Sequence, residues 1–114
     1  MPSIEMTQDA LIVRLRPAEK VWAFGGDVTI PWSQLRGAET VPRNFWSGLG
    51  LRIPGTGLPP FYVAGTYRWK GDRAFVSWSR SKNPLQINLE GHKYTRVIIG
   101  IDDAEGWAER INYT

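Results

Sequence analysis

The chain is 114 residues long, enough for one domain spanning 1–114 with a buried core of its own. It has no Cys and a single His, which excludes disulfides, thiolate chemistry and metal sites built from those ligands. At 42% hydrophobic and 22% charged residues it is not a disordered chain, and its net charge of +3 comes from Lys and Arg spread without a polybasic block.

The opening MPSIEMTQD has neither the basic nor the apolar region of a signal peptide. The longest apolar run, 97–101, is interrupted by Gly100 and is far too short to cross a bilayer. The expectation is a soluble, cytoplasmic protein without a membrane span.

Residues 10–16 (ALIVRLR) set Leu11, Val13 and Leu15 against Ile12, Arg14 and Arg16, the period of a half-buried strand. Pro17 stops that ladder, and residues 17–24 (PAEKVWAF) place Ala18, Val21 and Trp22 at helical spacing before Gly25-Gly26. A brief strand over 27–30 and another over 35–41 follow, with Ser33 and Gln34 as turn residues between them. Residues 44–48 (NFWSG) read as a loop with two large aromatics, and 49–53 as a short alternating strand. Residues 54–60 (PGTGLPP) read as irregular, because three prolines withhold donors and two glycines permit positive φ.

The second half is more periodic. Residues 61–69 place Phe61, Val63, Gly65, Tyr67 and Trp69 on one face, and Gly71-Asp72 reads as a two-residue primed turn. Residues 73–79 return with Ala74, Val76 and Trp78 alternating against Phe75 and Ser77. After a loop at 82–84, residues 85–90 (LQINLE) alternate, Gly91-His92 turns the chain, and 94–101 come back as an apolar strand. Asp102 is a candidate N-cap with Glu105 three residues on. The helix 103–112 aligns Ala104, Trp107, Ala108 and Ile111 in one stripe that must dock on the sheet.

This order of strands and closing helix, with the pieces GDVTIPWSQLRGAE, GLRIPGTGLPPFYVAGTYR and LQINLEGHKYTRVIIGIDD, resembles a group of small bacterial proteins with pleckstrin-homology-like folds. The resemblance spans roughly residues 10–111. It implies a mainly β (α+β) fold: a bent antiparallel sheet or partial barrel of about seven to eight strands, closed by an amphipathic C-terminal helix. A Trp in that helix, here Trp107, is a recurrent feature of such domains. Arg14, Arg16 and Lys20 do not reproduce the Lys/Arg spacing of the phosphoinositide-binding members, so lipid binding is not carried over.

No acid–base or nucleophile set stands out, so the chain reads as non-enzymatic and without a cofactor. Asp102-Asp103 have a sufficient role at a helix start. His92 lies in a turn without a nucleophile or base partner, and no catalytic role is assigned to it. The leading expectation is a protein-interaction or scaffold module. It would use Phe45, Trp46 and Leu49 in an apolar loop, or an exposed sheet edge for strand addition or homo-oligomer formation. The alternative is an anion-binding module for nucleic acid or acidic lipid head groups through Arg52, Arg68, Lys70 and Arg73, where cations interleave with Tyr67, Trp69 and Trp78. Trp69 and Trp78 share strand faces with apolar residues, which reads as core.

Overall fold

The computed structural model describes residues 3–15, 27–42, 51–58, 62–79 and 82–113, with the backbone alone for 51–58, 62–64 and 69. The helix expected over 17–24 and the aromatic loop with Phe45, Trp46 and Leu49 lie outside the described residues.

Strands β1 (Ser3–Met6), β2 (Ala10–Arg14) and β3 (Val28–Pro31) form an antiparallel sheet in that order. Strands β4 (Leu35–Thr40), β5 (Leu51–Leu58), β6 (Tyr62–Trp69), β7 (Asp72–Ser79), β8 (Asn83–Leu89) and β9 (Arg96–Ile101) form a second sheet, ordered β4-β8-β9-β7-β6-β5. Helix α1 (Ala104–Asn112) follows β9. The protein is mainly β with a C-terminal helix. Among the described residues it forms two open sheets around one core and no closed barrel.

The expected succession of hairpins holds at β6–β7 and β8–β9 but breaks between β7 and β8. There β9 lies between the two and runs parallel to β7, with Ala74 opposite Arg96 and Ser77 opposite Ile99. The local pattern fits these central places. Ala74 to Trp78 are buried without a break, and so are Val97 to Ile101, so both strands are covered on two faces. One face joins the main core, where Phe75, Leu85, Ile87, Val97 and Ile99 meet Leu11, Val13 and Ile30 of the first sheet. The other carries a second cluster of Tyr67, Ala74, Val76, Trp78 and Ile98. Each fully buried Leu, Ile, Val or Phe side chain here contributes about 1.5–3 kcal/mol.

Four local expectations are corrected. Strand β5 runs through Pro54, Gly55 and Gly57, where irregular chain was expected. It is the outermost strand and its register shifts between Arg52 and Gly55, and an edge with a bulge tolerates the missing N–H of Pro54. The β6–β7 turn is centred on Lys70 (φ 50°) and Gly71 (φ 87°), one residue earlier than expected, so Asp72 pairs with Trp69 inside the ladder. Strand β8 begins at Asn83, with Pro84 opposite Gly100. Strand β1 was not foreseen, because SIEM is short and mostly exposed; it is held by its ladder to β2 and by the Arg14–Glu5 ion pair.

The helix cap is also displaced by one residue. Asp102 accepts from Lys82 Nζ at 2.9 Å, and Asp103, in the left-handed region, caps the helix by accepting from Gly106 N–H. The expected stripe docks: Ala104, Ala108 and Ile111 are buried and Trp107 half-buried. At the far end of α1 the Asn112 amide closes on β4. Its Oδ1 accepts from Ala38 N–H at 2.8 Å, and its Nδ2 donates to Ala38 C=O at 2.9 Å. One side chain thereby satisfies both backbone groups that a further strand would otherwise take.

Two outcomes follow. A Cβ on residue 106 would lie 2.2 Å from Asp103 Oδ2. Gly106→Ala therefore sets up to about 1 kcal/mol of helix propensity against a cap of about 0.5–2 kcal/mol, and its urea midpoint should fall short of the rise that propensity alone would give. Asn112→Ala should cost about 1–3 kcal/mol by leaving Ala38 without its partners, seen as a lower midpoint at an unchanged slope.

Candidate anion-binding site

The β6–β7 turn places three cations at one end of the larger sheet. Arg68 and Arg73 are cross-strand partners and Lys70 is a central turn residue; all three are exposed. Like charges directly opposite on a ladder destabilise it, so the pair is held by its surroundings. Arg73 N–H donates to Thr95 Oγ1 at 2.8 Å, and its carbonyl accepts from Thr95 N–H at 2.8 Å. Its Nη2 reaches the His92 carbonyl at 3.5 Å.

Those contacts exist because β7 and β9 are parallel. Parallel neighbours start at the same end of a sheet, so the turn before β9 lies beside the turn before β7. That second turn, residues 90–95, brings exposed Lys93 and half-buried His92 and Tyr94 to the same end. The Tyr94 ring is enclosed: Phe75 lies 5.2 Å away, His92 stacks at 5.7 Å, and Lys93 Nζ sits 5.1 Å from its centroid.

The carboxylates nearby are already engaged. Asp72 Oδ2 accepts from Arg96 Nη2 at 2.6 Å and Nε at 3.1 Å, and its Oδ1 accepts from Thr95 Oγ1 at 2.5 Å. Arg96 also donates to Gln86 Oε1 at 3.2 Å. Glu90 accepts from Arg36 Nε at 2.7 Å. The end of the sheet is thus a basic rim of Arg68, Lys70, Arg73 and Lys93, with Asp72 and Glu90 paired to other arginines. On the smaller sheet, Arg14 is raised above its ordinary pKa, first by its hydrogen bond to Glu5. An arginine is charged throughout the working pH range in any case, so this contact is structural.

Of the residues singled out by sequence, Arg68, Lys70 and Arg73 are brought together. Arg52 stands in the register row of Tyr67 and Ala74, next to the row of Arg68 and Arg73, and its side chain lies outside the described residues. Two of the interleaved rings, Tyr67 and Trp78, separate from the cations, and the Trp69 side chain lies outside the described residues. Tyr67 and Trp78 are 7% and 4% exposed, and the Trp78 indole N–H donates to Lys82 C=O at 2.9 Å. Neither ring can serve as a platform for bases. Lys93 was not singled out and His92 was set aside, since only the β7–β9 pairing carries them to this end. Of the outer strands that could serve the expected strand addition, β4 is occupied at Ala38 by Asn112.

Comparison with family models, curated proteins and solved structures finds no match to this chain.

Asp72 is the keystone of the rim, joining the turn to Arg96 and Thr95. Asp72→Ala leaves the half-buried Arg96 guanidinium without its carboxylate and should lower stability by about 1–3 kcal/mol, measured by denaturant titration. No loss of stability would show that the Asp72–Arg96 pair is dispensable to this end of the sheet.

Proposed function

We propose that this chain is a non-enzymatic, pleckstrin-homology-like binding module that engages the phosphate groups of an anionic partner through the basic rim. The observation that carries the reading is the side-by-side placement of the 69–72 and 90–95 turns. It gathers cations from two distant stretches and leaves the adjacent carboxylates committed elsewhere. Support for the pleckstrin-homology-like part is the order of elements: strands in two sheets around a shared core, then one C-terminal helix. The parallel β7–β9 pair departs from the wholly antiparallel arrangement that the resemblance implies.

Recognition in this reading is by charge. The buried Tyr67 and Trp78 offer no ring for stacking, and clustered cations suit phosphate oxygens of nucleic acid or of acidic lipid head groups. A protein partner met by strand addition is the second reading. In its favour, β1 and β5 are outer strands of their sheets.

Binding should be tested with a fluorescent single-stranded oligonucleotide and with phosphatidylcholine vesicles with and without phosphatidylglycerol, across a salt series. The expected result is affinity that falls steeply with salt, with the oligonucleotide slope reduced by roughly 0.7 for each rim cation removed. Arg68→Gln/Arg73→Gln should weaken binding to whichever anion is taken. Binding indifferent to salt and to that double variant would overturn the reading.

A further inference from the structure

His92 is the only histidine in the chain, and both of its ring nitrogens are held. Nδ1 accepts from the Tyr94 N–H at 3.1 Å, and Nε2 lies 2.9 Å from the Thr29 carbonyl oxygen. A backbone N–H only donates and a carbonyl only accepts. Together they select one neutral tautomer, with the hydrogen on Nε2 donated to Thr29. Since Thr29 belongs to β3, this bond ties the basic end of the larger sheet to the smaller sheet.

Protonation would place a second N–H on Nδ1, pointing at the N–H of Tyr94. That contact must open, while the bond to Thr29 is compatible with either form. Among the described residues, the charged groups on the surrounding elements are Arg73 and Asp72 on β7, Arg96 on β9, Lys93 and Glu90 in the turn itself, and Asp27 just before β3. Tyr94 is the other titratable neighbour. The carboxylates among them already have partners: Asp72 has Arg96, Glu90 has Arg36, and Asp27 accepts from Arg14 and from the Leu15 N–H. A charged imidazole therefore adds to a basic rim that, among the described residues, holds no uncommitted counter-ion. An external anion would supply that charge.

We infer that His92 is the protonation-dependent member of the rim: its charged form binds phosphate-type anions together with Arg73 and Lys93, in exchange for the Tyr94 hydrogen bond. The inference rests on the rim being the binding site. The sign follows from linkage: an anion that favours the protonated ring binds more tightly at lower pH and, reciprocally, promotes protonation of the ring.

The test uses sucrose octasulfate, whose charge does not change between pH 6 and pH 8, so any pH effect belongs to the protein. Wild type should bind about fivefold or more tightly at the lower pH. His92→Gln, which retains a donor for Thr29 and does not titrate, should bind with little pH dependence. The sole imidazole gives an independent readout: ring nitrogen shifts should report the Nε2–H tautomer at pH 8 and move toward imidazolium when the ligand is added at pH 6. Arg68→Gln/Arg73→Gln should weaken binding at both pH values. Equal wild-type affinity at the two pH values, pH dependence retained in His92→Gln, or an Nδ1–H tautomer overturns the role of His92 and leaves the rim standing. Absent binding, or binding untouched by the arginine double variant, overturns the rim and this inference with it. A failure of His92→Gln to fold does not remove the test, because the wild-type ring shifts decide it.

Discussion

The parallel pairing of β7 with β9 is the constraint on which the other features depend. It places two strands with unbroken buried runs at the centre of the larger sheet, and both faces of those two strands are interior. Burial on two faces explains why Val76 and Phe75, adjacent in sequence, belong to different apolar clusters. The same pairing decides which turns are neighbours. The chemistry at the rim is therefore a property of strand order more than of any short motif.

Around that centre, polar groups are matched with economy. Among the described residues no buried side-chain nitrogen or oxygen lacks a partner. Asp72 serves the turn, Thr95 and Arg96 at once. Trp32 fastens a 3₁₀ turn between β3 and β4 (Trp32–Gln34) to the β1–β2 connection, its indole N–H donating to Thr7 C=O at 2.9 Å. Asn112 stands where the outer side of β4 would otherwise offer its backbone to another chain. Unpaired strand edges are templates for intermolecular sheet growth, and the last turn of α1 withholds the Ala38 pair from such growth.

Much of the fold was legible because period-two alternation and a helical stripe are local signals. Leu85, Ile87 and Leu89 face the core as their alternation indicates, and Ala104, Ala108 and Ile111 dock as their spacing indicates. The misses have physical reasons. Glycine preference pointed to Gly71-Asp72 for the turn, but Asp72 is held in the ladder by Arg96 and Thr95, which moves the positive φ onto Lys70. The prolines and glycines of β5 suggested irregular chain, yet an outer strand with a bulge accommodates them. Half of the candidate site was readable: Arg68, Lys70 and Arg73 lie within six residues of one another. Lys93 and His92 were not, because which strand pairs with which is a long-range outcome.

The position of β9 also bears on how the chain must assemble. Strands β7 and β8 follow one another in sequence but never touch as partners; the space between them, two strand spacings or roughly 10 Å wide, is filled by a segment made later. Any early pairing of β7 with β8 would have to be undone before β9 could enter. The larger sheet can reach its final order only after residues 96–101 are available, and non-local closure of this kind slows folding relative to a simple succession of hairpins. The sequence of events that completes the core is then the same one that brings the two basic turns together.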